Sequence, residues 1–172
     1  GDFRVVDVNN DNLYTNEDKQ FLGYSSPRFR WTLRNQFELF QNWDFSFMMY
    51  SYWGHEGTFN QAKNQGFGDR TSSYVLPYWT VDNQIDNAAR LFSSNGSASY
   101  NVYVDKSFIR LQNVSLGYTL PKSLTEKFKI SSLRLSGNIK NAAVWTKEWD
   151  FWDPENSGPT PRTVTLGLNI TL

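Results

Sequence analysis

Hydrophobic and polar residues alternate along five separate stretches of this 172-residue chain, most cleanly at its C-terminal end. In 162–172, Val164, Leu166, Leu168, Ile170 and Leu172 fall on one face of an extended strand, and Thr163, Thr165, Gly167, Asn169 and Thr171 on the other. Side chains of a strand repeat every two residues, so this stretch has one apolar face and one small polar face. In 28–41, Phe29, Trp31, Leu33, Asn35, Phe37 and Leu39 oppose Arg28, Arg30, Thr32, Arg34, Gln36 and Glu38. A short turn near Gln41 and Asn42 leads into 43–53, where Trp43, Phe45, Phe47, Met49 and Trp53 share a face with tryptophan at both ends. In 108–120, Val114, Leu116, Tyr118 and Leu120 oppose Asn113, Ser115, Gly117 and Thr119. Upstream of these, Ile109 and Leu111 are out of phase, which predicts a β-bulge or a segment standing clear of the pattern. In 132–145, Leu133, Leu135, Gly137, Ile139, Ala143 and Trp145 oppose Arg134, Ser136, Asn138 and Lys140.

Strands of about a dozen residues exceed the five or six typical of globular sheets. They match the roughly nine to eleven that a tilted strand needs to cross a bilayer. Tryptophans at both ends of an apolar strand face are the girdle expected at two membrane interfaces. The pattern therefore predicts an all-β fold, an antiparallel transmembrane β-barrel segment. The alternative is a soluble carbohydrate-binding β-sandwich module, whose two sheets would pack face to face about 10 Å apart. The connections run long, short, long, short, long. Barrels of the outer membrane have short periplasmic turns and long external loops. That ordering predicts extracellular loops at 54–106 and 147–161 and a periplasmic C-terminus. Two parts are expected: 1–27, a short strand at 3–6 with an extracellular acidic loop, and 28–172, the barrel strands and their loops. Five strands cannot close a barrel, because the smallest have about eight. An open sheet in lipid would leave two unpaired edges. The chain is thus expected to be part of something larger.

Composition sharpens this picture. There are seven Trp, nine Tyr and thirteen Phe, yet mean hydropathy is negative. No run of apolar residues is long enough for a membrane helix. The chain opens on Gly1-Asp2-Phe3, without the charged start and apolar core of a signal peptide. Seventeen basic and seventeen acidic residues balance, so no nucleic-acid partner is expected, since such binders carry a basic footprint. With no cysteine and only His55, a thiolate or histidine-based site is not expected.

Three groups are candidates for chemistry. In the loop from Asp7 to Asp18, Asp7, Asn9, Asp11, Thr15 and Asp18 stand at positions one, three, five, nine and twelve. That is the spacing of an EF-hand-type loop, which converges oxygen ligands on calcium. Asp7, Asn9, Asp11 and Asp18 are the expected ligands, and an Asn/Asp-rich turn without metal is the alternative. Asn12 occupies the position where glycine is usual, and asparagine tolerates the left-handed backbone better than most residues. In the long 54–106 connection, Tyr78 and Trp79 form a possible stacking surface for a sugar ring, and Arg90 can fork to a carboxylate or carbonyl. The same aromatic pair would equally serve to anchor the loop. Asp150, Asp153 and Glu155 could supply a glycosidase pair. They sit in a Pro/Gly-rich loop without any other catalytic signature, so the chain is not expected to be an enzyme.

The order of these blocks resembles the C-terminal end of the SusC/RagA-like family of TonB-dependent outer-membrane transporters. The resemblance rests on Gly1-Asp2-Phe3 with Asp7-Val8-Asn9-Asn10-Asp11, on Phe21-Leu22-Gly23, on Pro27-Arg28-Phe29 and on Tyr78-Trp79-Thr80. It continues through Phe108-Ile109-Arg110-Leu111-Gln112-Asn113-Val114-Ser115-Leu116-Gly117-Tyr118 and Asp153-Pro154-Glu155, and closes on Pro161-Arg162 and the final strand. Asn12 and the terminal Leu172 depart from the family's usual glycine and phenylalanine. The resemblance implies a barrel of about 22 strands around a plug, of which this chain forms the last five. It also implies import of oligosaccharide or peptide cargo beneath a SusD-like surface lipoprotein. Energy would come through the TonB complex, and the protein would sit in outer-membrane lipid of a Gram-negative bacterium.

Overall fold

The computed structural model describes residues 1–63, 77–93, 101–156 and 158–172. They form two compact units, 1–26 with 56–105, and 27–55 with 106–172.

The larger unit is one antiparallel sheet. Its strands are β1 (Phe29–Leu39), β2 (Trp43–Trp53), β5 (Phe108–Thr119), β6 (Ser132–Thr146) and β7 (Thr163–Thr171), hydrogen-bonded in that order. All five coincide with the alternating stretches. Each strand pairs with the next one along the sheet, so register decides whether the apolar columns line up. Leu33 faces Met49, Phe47 faces Val114, Leu116 faces Gly137, and Leu135 faces Leu168. Paired residues share a face, and so Leu33, Phe47, Leu116, Leu135 and Leu168 all point the same way. Arg34, Ser115, Ser136 and Gly167 point the other way.

The phase break in β5 is a bulge. Met48 pairs with Asn113 but Met49 pairs with Leu111, leaving Gln112 as the extra residue. Against β6 the register also shifts there, with Asn113 opposite Lys140 and Leu111 opposite Ala143. Asn141, in that shifted segment, has φ of 53°. The extra residue returns Ile109 and Leu111 to the apolar face and turns Arg110 onto the polar face.

The apolar face is exposed over most of its extent, with Leu166 83% accessible. A sandwich would bury that face under a second sheet, whereas the polar face of this unit carries the 147–161 loop, joined to it through Arg110. The turn of 40–42 places Phe40 and Gln41 at positive φ. The link after β5 holds a single helical turn, α1 (Lys122–Thr125), followed by a 3₁₀ turn at Glu126–Phe128. Lys129, at φ 58°, ends it.

In the smaller unit, β3 (Glu56–Thr58) pairs antiparallel with β4 (Tyr103–Asp105). The Phe59 amide donates to the Val102 carbonyl, and the Asn60 side chain bridges to Asn101 and to the Val102 amide. The 54–106 connection is therefore partly ordered by local pairing, although its sequence shows no sustained period. Within it, 64–76 and 94–100 lie outside the described residues. The short strand expected at 3–6 is a correction: those residues adopt no strand. Ladder bonds require a partner strand, and the neighbouring Gly1 carbonyl instead accepts from the Arg90 amide.

Candidate functional site

The acidic loop closes on itself through its own backbone. Asp7 accepts from the Asp11 and Asn12 amides, and Asp11 from the Leu13 amide. Asp18 accepts from Val8 and Thr15 at 2.9 and 2.7 Å. Those two amides, Thr15 foremost, hold the Asp18 carboxyl below its ordinary value of 3.8. Thr15 and Asp18 form a reciprocal capping box around the 3₁₀ turn Asn16–Asp18. Asn12 takes φ of 65°, the left-handed conformation expected at that position.

The donor chemistry of Asp7, Asn9, Asp11 and Asp18 suits a hard cation, but the amide of Asn9 occupies the cationic role. Its Nδ2 donates to Asp11 at 2.9 Å and to Glu17 at 3.4 Å. Among the described residues no group of three or more His, Cys, Asp or Glu is arranged to hold a metal ion. Ligation would require Asn9 to turn its oxygen inward. Glu17, which the sequence pattern passes over, belongs to this cluster.

Tyr78, Trp79 and Arg90 come together in the same unit, but with different exposure. Tyr78 is exposed and Trp79 half-buried. The Trp79 amide donates to Ala89, and the indole lies so close to Gly1 that a Cβ there would collide with it. Arg90 forks to Asp2, with Nε at 2.8 Å and Nη2 at 3.3 Å. The fork foreseen for Arg90 is made to a carboxylate of its own chain.

On the polar face of the large sheet stands a third cluster, of which sequence reasoning named the carboxylates Asp153 and Glu155 but missed Arg110 and Tyr50. Arg110 is only 3% exposed, and its Nη2 donates to Asp153 at 2.6 Å. Its Nε lies 3.7 Å from Glu155, which also accepts from the Tyr50 hydroxyl. Burial alone would push the Asp153 carboxyl up. The hydrogen bond from Arg110 and the Glu155 amide outweigh that and leave it below its ordinary value of 3.8. Two of the three acidic residues considered for a glycosidase pair are thus held by Arg110 and Tyr50. A cavity of about 290 Å³ opens beside them, lined among others by Gln112, Lys140, Asn141 and Thr163. Nearer the turn end of the strands, Arg134 pairs with Asp44 at 2.7 Å across Gly117. A Cβ on Gly117 would collide with both side chains of that pair. The signal that could have found the Arg110 cluster is the bulge itself, because bulges re-aim side chains at sites.

Fold and face chemistry define the class: a wall segment of a membrane β-barrel, with a continuous apolar face and a polar face that carries charges and a loop. No family model matches the chain. It is 29% identical over 197 residues to TonB-dependent receptor P26 of Formosa agariphila, covering 99% of this chain and 20% of that protein. It is 23% identical to TonB-dependent receptor P3 of the same organism, covering 96% of this chain and 18% of that protein. The chain therefore spans about a fifth of the length of these curated relatives. In structure it matches the RagAB peptide importer in its open-open state, with a TM-score of 0.59 and 19% identity, covering 93% of this chain and 19% of that one. The closed-closed state of that importer matches with a TM-score of 0.53 and 23% identity, covering 75% of this chain and 16% of that one. The sequence relatives are TonB-dependent receptors and the fold is similar to that of the RagAB importer, and both support the resemblance to the SusC/RagA-like TonB-dependent transporters.

Proposed function

We propose that the chain is the C-terminal wall of a TonB-dependent transporter that carries oligosaccharide or peptide fragments across the outer membrane. The carrying observation is five bilayer-length strands in a register that aligns their apolar columns, in a chain whose relatives are TonB-dependent receptors. The remaining barrel and a plug come from the rest of the protein. TonB acts through a segment outside this chain, and a SusD-like lipoprotein covers the outer mouth. The name of the RagAB peptide importer favours peptide; exposed aromatic side chains on the long loop favour a sugar ring. The C-terminus is periplasmic, because β7 ends on the side of the short turns at 40–42 and 120–131 and such turns face the periplasm. The loops 54–106 and 147–161 then meet cargo and lid outside. In them Tyr78 touches cargo, while Trp79 and Arg90, through Gly1 and Asp2, set its position. The test is uptake of labelled oligosaccharide and peptide pools by cells with and without TonB, and with and without the partner lipoprotein. Uptake of either pool that depends on TonB supports the reading; uptake indifferent to TonB overturns it.

Asp7, Asn9, Asp11 and Asp18 are the proposed calcium ligands, and their role is to stiffen the loop that precedes β1. Calcium titration of the full protein, followed by amide hydrogen exchange at 7–18, checks this. Protection that rises with calcium and vanishes with chelator is expected. Exchange unchanged by either leaves a self-capped acidic turn.

A further inference from the structure

β6 outruns β7 at the end that leads into the 147–161 loop. Its ladder with β7 stops at Lys140 opposite Thr163, while its ladder with β5 continues to Thr146 opposite Phe108. Residues 141–146 are thus paired along one edge only. Two features of the chain stop β7 there. Asn141 has φ of 53°, which breaks the extended run of β6. Continued past Lys140, the same register would set Pro161 opposite Ala142 and Pro159 opposite Val144. Proline has no N–H to give to a ladder, and 159–162 adopt no strand.

The groups on the open edge follow from the alternation of bonds across the sheet. The Thr119 amide donates to the Asn42 carbonyl, so Asn42 and every second residue after it in β2 bond to β5. Tyr50 and Tyr52 therefore bond to Arg110 and Phe108, and the intervening Ile109 and Leu111 bond to Trp145 and Ala143 in β6. Ala142, Val144 and Thr146 are left with N–H and C=O directed away from β5. Among the described residues nothing pairs with these groups. They are within reach of a ligand, since Val144 is 40% accessible and Thr146 is exposed. Hydrocarbon does not tolerate such unpaired backbone, so in the barrel reading this edge stands at or above the outer interface.

We infer that the 141–146 edge of β6 is a binding site for an extended peptide, which adds to the sheet as a short strand. The open groups recur every second residue, about 6.6–6.8 Å apart, and each position offers one donor and one acceptor. An extended peptide backbone repeats a donor and an acceptor at that interval, whereas a sugar ring or an acyl chain does not. Three such positions hold a segment of about five residues and read its backbone rather than its side chains. The site suits cargo peptides of mixed sequence, and it rests on the transporter reading for their supply.

Amide hydrogen exchange of the full transporter in detergent, resolved to single residues, tests this with three probes. They are an uncharged hexapeptide with blocked ends, the same hexapeptide N-methylated at every residue, and a neutral oligosaccharide. Before any probe is added, the Val144 and Thr146 amides should exchange freely while those of Ala143 and Trp145 are protected. The hexapeptide should protect Val144 and Thr146. The N-methylated peptide should need at least about tenfold more to do so, because several backbone bonds are lost together. The oligosaccharide should leave both amides unchanged. Val144→Pro removes one edge N–H and none of the bonds to β5, and should weaken protection of Thr146 by the hexapeptide at least about tenfold. Val144 and Thr146 amides already protected without peptide would mean that another part of the protein fills the edge, which overturns the site. No protection by the hexapeptide, or equal protection by both peptides, overturns it too. If TonB-dependent uptake persists while the hexapeptide protects nothing, the transporter reading stands and the site alone falls. Protection in a protein whose uptake ignores TonB keeps the site and removes the transporter reading.

Discussion

Gly117 sits where Asp44 and Arg134 reach across β5 to each other, and a methyl group there would meet both side chains. The atoms it meets are the tips of flexible, partly exposed side chains, and such pairs contribute little to stability. Gly117→Ala should therefore cost no more than about 1 kcal/mol in denaturant unfolding of the full protein. Arg110 is the opposite case. Its pair with Asp153 is buried, with side-chain exposures of 3% and 5%, so Asp153→Ala leaves the guanidinium with only the longer contact to Glu155. A loss of about 3–5 kcal/mol is expected, mostly recovered in the Arg110→Met, Asp153→Ala double variant. A double-mutant cycle measures the difference, and equal losses in single and double variants would contradict it.

Whole elements respond to solvent rather than to single partners. The apolar columns of β1, β2, β5, β6 and β7 face outward in the barrel reading, so Leu116→Arg or Leu168→Arg near mid-strand should cost about 2–4 kcal/mol of folding into bilayers. Ser115→Asn on the polar face should be mild by the same assay. The 147–161 loop is held to that polar face by Arg110 and Asp153, and its hold depends on pH in a definite sense. The Asp153 carboxyl lies below its ordinary 3.8, so the unfolded loop binds a proton more readily than the folded one. The contribution is present above 3.8 and is lost as pH falls through the depressed folded value. Protection factors at 148–156, that is, exchange corrected for its intrinsic pH dependence, should fall in that acid window and stay flat from about pH 5 to 8; loosening within that neutral range would point to another group.

At the scale of the whole molecule, the chain spans about a fifth of the length of the TonB-dependent receptor it matches, and the tests of the proposed function belong to the full transporter. Trp79→Ala in that full transporter distinguishes the two roles open to the aromatic corner. Because the indole packs on Gly1, the expected outcome is loosened order at 1–4 and 78–90 with reduced cargo affinity. Tyr78→Ala should reduce affinity with the loop order intact. Unchanged affinity in both would remove this corner from the cargo path.

The sequence alone determined the strands, their faces and the barrel class, because a period of two with apolar columns of bilayer length is a local property of each stretch. It located the irregularity above Val114 and the left-handed Asn12 for the same reason. Pairing is not local, and only the tertiary structure decided which residues found partners. Residues 3–6 have the composition of a strand but adopt none. Arg90 reads as a free fork until Asp2, 88 positions away, occupies it. Arg110, Asp153, Glu155 and Tyr50 are ordinary polar residues in sequence. They become one network, buried at Arg110 and Asp153, because a bulge at Gln112 turns Arg110 onto the face that a distant loop crosses. A charge's role depends on the dielectric and partners around it, and those arise only when segments far apart in the chain come together.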